Sequence, residues 1–93
     1  MTHIMELIFE KIRAERQRQI DKWGDDRNLD PFVWIAILSE ELGEASQEVL
    51  KHNSQDKLEA EIVQIAAVAV AWLEDLMTFP LDQYSDRQGI KYG

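Results

Sequence analysis

An almost uninterrupted apolar run, from Ile62 to Leu73, constrains the fold of this chain more than any other feature. Only Gln64 interrupts it, and it lies within a longer segment, about residues 55–77, that lacks glycine and proline. This length favours a helix over a buried strand. A helix that is apolar on all sides is expected to be buried on all sides. The run is too short to cross a bilayer, which requires about 20 apolar residues.

Capping residues, glycine and proline divide the preceding sequence into two more helices. The first is predicted over about residues 4–23, with Thr2 as its N-cap and Gly24 where a helix ends. The second begins at Asp30-Pro31, because aspartate is a preferred N-cap and proline is favoured at the first helical position.

The second helix is predicted to end at about Lys51 or His52, before a break in the helical pattern. Ser54 can cap the third helix. Asp56 places a negative charge in its first turn, where it interacts favourably with the helix dipole. The third helix then covers about residues 55–77.

Three helices cannot easily enclose a segment that is apolar on every side. The sequence therefore predicts an all-α, antiparallel bundle of three main helices, completed by homo-oligomerisation as a homodimer or homotetramer. Residues 1–78 would form this helical domain and residues 79–93 a polar C-terminal tail. A three-helix monomer is the alternative.

The charge balance narrows the range of partners. The net charge is −8 and the pI about 4.6, which disfavours binding to duplex nucleic acid and suits divalent cations. There are no cysteines, so disulfides, thiolate metal sites and thiol catalysis are excluded. The first residues show no basic region followed by an apolar run, so no signal peptide is predicted. The expectation is a cytoplasmic protein without a membrane span.

The second helix carries carboxylates beside its apolar stripe. The centre of that stripe is predicted to consist of Leu38, Leu42, Ala45 and Val49. On a helical wheel of about 100° per residue, Glu41 lies about 60° from Leu38 and Glu48 about 80°. Glu41 therefore borders the core face, and the acidic residues are not confined to the outer surface.

These carboxylates lack compensating charges. Glu40 and Glu44 are four residues apart, as are Glu44 and Glu48, and each such pair costs about 0.2–0.5 kcal/mol on a helix. No lysine or arginine occurs between Trp34 and Leu50. A hard cation that prefers oxygen ligands, such as Mg²⁺ or Mn²⁺, would neutralise them.

Glu61 and Gln64 on the third helix supply a matching pair of oxygen-bearing side chains. Residues three apart share a helix face, so this pair can lie opposite Glu41 and Glu44 on an adjacent antiparallel helix, as in bundle metal sites. One alternative is a solvated acidic face. The other is a buried Glu61 paired with an arginine of the first helix.

This pattern resembles the MazG-like family of the all-α nucleoside triphosphate pyrophosphohydrolase superfamily. Residues 40–44 read Glu-Glu-Leu-Gly-Glu, and after sixteen residues 61–64 read Glu-Ile-Val-Gln, similar to the family pattern Glu-Glu-x-x-Glu, a spacer, then Glu-x-x-Asp. Residues 15–19 and 22–24 resemble the small phage and bacterial branch. The resemblance covers about residues 4–77.

The resemblance implies Mg²⁺-dependent hydrolysis of a nucleoside triphosphate to the monophosphate and pyrophosphate, with Mn²⁺ as a substitute ion. It implies that Glu41, Glu44 and Glu61 are metal ligands and that Glu40 orients or deprotonates the attacking water. Gln64 stands where the family has aspartate. Its amide can offer an oxygen to the metal but removes one negative charge.

Three more residues are predicted to contact the substrate. Lys51 and Lys57 flank the turn between the second and third helices and can bind phosphate oxygens. Lys51 at a helix C-terminus can equally be explained by its favourable interaction with the helix dipole. Trp23 can stack on a base, whereas Trp34 is predicted to be core or interface and Trp72 to be core. The basic residues of the first helix are expected to pair with acids across the bundle or to reach the triphosphate: Arg13, Arg16, Arg18 and Lys22.

Other functions remain open at the level of sequence. Hydrolysis of phosphoribosyl-ATP is a narrower enzymatic alternative, which the amino-terminal pattern disfavours. A non-catalytic nucleotide- or metal-binding protein is suggested by Gln64. A helical interaction module would use the apolar third helix as its partner surface.

Overall fold

A computed structural model describes residues 3–25, 28–52 and 54–81. These residues form three helices: α1 at His3–Trp23, α2 at Pro31–Leu50 and α3 at Gln55–Thr78. The described part of the chain contains no strand, so the all-α prediction is confirmed for it. None of these helices is long and apolar enough to cross a membrane. Thr2 and most of the predicted tail, residues 82–93, lie outside the described residues.

The helix ends form where local sequence predicts them. Gly24 adopts a φ of +86°, and its N–H donates to the carbonyl of Ile20 at 2.7 Å, which ends α1. Asp30 Oδ1 accepts from the N–H of Phe32 at 2.7 Å at the start of α2. Ser54 Oγ accepts from the N–H of Lys57 at 3.2 Å at the start of α3. Each cap satisfies backbone groups that a helix end leaves open.

α3 is the central helix of the bundle. It packs against both α1 and α2, which contact each other much less. Trp34, near the start of α2, stacks on Trp72, near the end of α3, whereas Glu44 meets Glu61 further along. These pairs show that α2 and α3 run antiparallel.

The core forms around Trp34. Its side chain is only 1% exposed and packs with Val68 and Ala71 of α3. The Trp34 and Trp72 rings lie nearly parallel, at 8°, with centroids 6.4 Å apart. Trp34 Nε1 donates to Asp75 Oδ2 at 2.8 Å, and the same oxygen accepts from a backbone N–H before α2 at 3.2 Å. The prediction of Trp34 as a core residue is confirmed.

The predicted apolar stripe of α2 is only partly correct. Ala45 is buried, but Leu42 is 59% exposed and Val49 is exposed as well. The inward side instead carries Trp34 and Ala45 with Glu41 half-buried beside them. Relative to the prediction, α2 is rotated by roughly 60° on a wheel of about 100° per residue. Two contacts account for this rotation. The large Trp34 ring is buried against Val68, and Trp34 Nε1 donates a hydrogen bond to Asp75 near the end of α3.

The apolar run of α3 is not buried on all sides within one chain. Ala67, Val68 and Ala71 are buried, but Ile62 is 53% and Leu73 58% exposed. The expectation of complete burial is wrong for the single chain, because α1 and α2 cover only two sides of α3.

The uncovered side continues onto α2. On helical wheels, six exposed apolar residues of the two helices point about 120–180° away from Ile37 or Gln64, which line a cleft on the other side. We call this surface the back face, and it comprises Ile35, Leu42 and Val49 of α2 with Ile62, Leu73 and Met77 of α3.

Candidate metal centre

Three carboxylates meet where α2 and α3 face each other. Glu41 and Glu44 lie one turn apart on α2, and Glu61 faces them from α3. Each offers one carboxylate oxygen, and these oxygens lie within 4.8 Å of one another. The structure thus brings together the three residues that the sequence predicts as metal ligands.

Part of this cluster is removed from water without a hydrogen-bond donor. The Oε2 atoms of Glu41, Glu48 and Glu61 are inaccessible to solvent and have no partner among the described residues. Two arginines of α1 form their ion pairs with other acids: Arg16 with Glu74 at 2.7 Å, and Arg18 with Glu15 at 2.6 Å. Arg18 also attracts Glu41 electrostatically, without an ion pair to Glu61. The alternative in which an arginine of the first helix neutralises Glu61 is therefore not seen.

Burial and mutual repulsion both favour protonation of the cluster. Burial raises the pKa of Glu41, and the charges of Glu44 and Glu61 raise it further. Burial is also the main cause that raises the pKa of Glu61, followed by the charge of Glu44, the hydrogen bond that the protonated Glu61 carboxyl can make with Glu44, and the charge of Glu48. A cation bound among these oxygens would act in the opposite direction, because it stabilises the charged carboxylates.

The donor set fits a hard divalent ion. Carboxylate oxygens are preferred ligands of Mg²⁺, which holds them at about 2.0–2.1 Å, so opposite ligands lie about 4.2 Å apart. The observed limit of 4.8 Å requires only small side-chain adjustments. Glu44 is exposed, which leaves an open side for water or substrate oxygens.

A cleft adjoins the cluster between α1 and α2, above α3. Its volume is about 230 Å³. It is lined by Glu15, Arg18, Gln19, Trp23, Trp34, Ile37, Glu40, Glu41, Gln64 and Val68. Glu41 belongs to both the cluster and the cleft, so the cleft opens beside the candidate metal ligands.

The cleft collects several residues that the sequence predicts for the site. Glu40, the predicted base, and Gln64, the predicted fourth ligand, both line it, and neither belongs to the group of three close carboxylates. Trp23 is 49% exposed at the cleft, with Lys22 Nζ 4.6 Å from its ring centroid. Lys51 and Lys57 are exposed and do not line the cleft.

Two site features were not predicted. Glu48 extends the carboxylate cluster towards Glu61, and a signal for it existed because it lies one turn beyond Glu44. Gln19 of α1 is buried in the cleft. Gln19 lies within residues 15–19, which carry part of the resemblance, but no sequence signal marked its side chain as buried, since the inward face of this polar stretch depends on packing against α3.

Comparisons with protein-family models, with curated proteins and with solved structures found no match to this chain.

Proposed function

We propose that this protein is a Mg²⁺-dependent nucleoside triphosphate pyrophosphohydrolase of the MazG-like type, which releases a nucleoside or deoxynucleoside monophosphate and pyrophosphate in the cytoplasm. The observation that carries the proposal is the meeting of Glu41, Glu44 and Glu61 on facing helices, with buried carboxylate oxygens that lack donors. Burying such charges is costly unless a cation or proton compensates them.

Each residue of the site has a role in this reaction. Glu41, Glu44 and Glu61 would hold Mg²⁺ or Mn²⁺, which neutralises phosphate oxygens and activates water. Glu40 lines the cleft beside Glu41 and would orient the attacking water or accept its proton. Gln64 would offer an amide oxygen at the edge of the site.

The substrate would occupy the cleft. Trp23 presents an aromatic ring there for stacking on a base. Arg18 lines the same cleft and carries a positive charge next to the acidic cluster. Lys51 and Lys57 would bind phosphate oxygens only if the triphosphate extends out of the cleft towards the turn between α2 and α3.

We further propose that the back face is covered by a second copy of this chain, forming a homodimer or, by a second contact, a homotetramer. The support is that large apolar side chains of α2 and α3, such as Leu42 and Leu73, are more than half exposed and lie on the same side of the two helical wheels. Monomeric proteins rarely expose contiguous apolar patches of this kind.

The enzymatic proposal is tested with a substrate panel. Purified protein is incubated with ribo- and deoxyribonucleoside triphosphates and Mg²⁺, and pyrophosphate release is measured. We expect turnover of at least one substrate, loss of turnover on chelation, and a large loss in Glu61→Gln. Glu10→Gln is the matched control, because Glu10 is an exposed acid of α1 that does not line the cleft.

A non-catalytic nucleotide-binding role is the second candidate, favoured by the neutral Gln64 beside Glu41. In that case no triphosphate is cleaved, although Mg²⁺ and nucleotide together raise the melting temperature. If neither turnover nor a metal-dependent shift is found, and Glu61→Gln behaves as wild type, both functions are rejected.

A further inference from the structure

We infer that the cleft between α1 and α2 is a nucleobase subsite, in which the side-chain amide of Gln19 recognises an edge of the base. This inference rests on the proposed function and deepens it, because it names the part of the substrate that this cleft binds and the residue that reads it.

Gln19 is the most deeply buried polar side chain among the described residues. It is 6% exposed, although glutamine usually lies at the surface. Its one hydrogen bond is long: Nε2 donates to Glu15 Oε2 at 3.5 Å. The amide oxygen makes no hydrogen bond with the described residues. The amide is thus enclosed in the wall of the cleft and holds only one weak contact with a neighbouring side chain.

The walls of the cleft suit a flat ring. Trp34, Ile37 and Val68 provide apolar surface, and Trp23 lies at the exposed end. The volume of about 230 Å³ is below the roughly 300–1,000 Å³ of a site for a whole drug-sized ligand. The cleft therefore fits one part of a nucleotide, and its combination of apolar walls with one buried amide fits the base.

The cleft borders further space and the candidate metal ligands. A second cavity of about 470 Å³ lies between α1 and α3 and shares Glu15, Arg18 and Gln64 with the cleft. Glu41 joins the cleft to the candidate metal ligands. A base beside Gln19 would thus leave its sugar and phosphates next to both Arg18 and the metal.

The chemistry of the amide defines what it recognises. A glutamine amide presents one acceptor oxygen and one donor nitrogen side by side, which matches the adjacent donor and acceptor on a base edge. The contact with Glu15 holds Nε2, so Oε1 is the group that accepts an N–H from the base. The ligand class is a nucleoside phosphate whose base offers such an N–H.

The test compares ligands with and without a base. Calorimetric titrations in Mg²⁺ use a panel of nucleoside triphosphates and inorganic tripolyphosphate, with wild type, Gln19→Met and the control Gln17→Met. Gln17 is exposed on the same helix. We expect Gln19→Met to weaken binding of the preferred nucleotide about 10-fold or more, as loss of a buried hydrogen bond predicts. Tripolyphosphate affinity should stay unchanged, and Gln17→Met should resemble wild type.

A second measurement needs no substitution. In wild-type protein, the side-chain amide NMR signals of Gln19 should shift on addition of nucleotide but not of tripolyphosphate. This keeps the inference testable even if Gln19→Met folds poorly.

The outcomes separate the two proposals. If nucleotide binds and depends on Gln19 but is never hydrolysed, the enzymatic proposal fails and the subsite stands. The subsite is overturned if the wild type binds no nucleotide more tightly than tripolyphosphate. It is also overturned if Gln19→Met weakens both ligands equally or neither, or if the Gln19 amide signals do not respond to nucleotide.

Discussion

The carboxylate of Glu61 occupies a position that lowers the stability of the fold when no cation is bound. Its carboxylate is partly buried beside Glu44 and Glu48, and its Oε2 has no donor among the described residues. Residues that destabilise a fold without a structural partner are typical of functional sites. In this protein a bound cation would offset that cost.

The first prediction concerns this trade-off. In metal-free protein at pH 7, Glu61→Gln should raise the melting temperature by a few degrees, because it removes repulsion among Glu44, Glu48 and Glu61. The stabilisation that Mg²⁺ gives the wild type should disappear in the variant. Thermal unfolding with chelator and with Mg²⁺ measures both effects. A variant less stable than wild type in chelator would show that Glu61 has a stabilising partner.

The second prediction concerns pH. The pKa values of Glu41 and Glu61 are raised above their ordinary value of 4.5, so folding favours their protonated forms. Their contribution to stability is therefore present below about pH 4.5 and is lost as the pH rises through the raised values. Relative to the double variant Glu41→Gln/Glu61→Gln, the metal-free wild type should lose stability over this window.

Magnesium affinity should change in the opposite direction over the same pH range. Protons must leave Glu41 and Glu61 before they bind metal, so affinity should rise with pH. Calorimetry in buffers of different ionisation enthalpy would count the protons released. An affinity that does not change as the pH rises above 4.5, the ordinary pKa of these groups, would contradict the assignment of these two ligands.

At the scale of the elements, helix ends were predictable and helix orientation was not. Gly24, Asp30 and Ser54 determine the ends through contacts within a few residues, so their sequence signals were sufficient. The rotation of α2 depends on Trp34 and its bond to Asp75, 41 residues away in sequence. A wheel centred on the aliphatic residues of α2 could not anticipate that distant partner.

The same limit applies to the candidate site. The three close carboxylates were predictable, because their spacing on α2 and α3 places them on facing turns. Gln19 was not, because its burial requires α1 to lie across α3 at one particular angle. Nothing in the spacing of polar residues along α1 records that angle.

The third prediction tests what orients α2. Trp34→Phe keeps much of the apolar volume but removes the bond from Nε1 to Asp75. It should lower the free energy of unfolding by about 1.5–3 kcal/mol, the range for hydrogen bonds to charged groups. Denaturant titration measures the change. Trp23→Phe at a half-exposed position is the control, and an equal loss in both variants would show that the Asp75 bond does not hold α2.

At the scale of the whole molecule, the cleft and the back face lie on opposite sides of the α2–α3 pair. A second copy bound to the back face would therefore leave the cleft open. Self-association and substrate binding would then use separate surfaces, so a substitution on one surface would leave the other process unchanged.

The fourth prediction concerns self-association. Leu73→Glu places a charge in the back face and, in a symmetric dimer, brings like charges close together. We expect wild type to sediment as a dimer or tetramer and the variant to shift towards monomer. Leu7→Glu is the control, since Leu7 is an exposed apolar residue of α1 outside the back face. A wild type that is monomeric at micromolar concentration would reject the interface.

The short turn between α2 and α3 places all three candidate ligands, Glu41, Glu44 and Glu61, within one helical hairpin. Contacts of such low sequence separation form quickly during folding. The carboxylate cluster can thus assemble before α1 docks, and a cation bound there would stabilise the hairpin early. If the cleft binds a nucleobase as inferred above, changes in α1, which contributes Gln19 and Trp23 to the cleft, would alter the preferred base without altering the carboxylates of the hairpin.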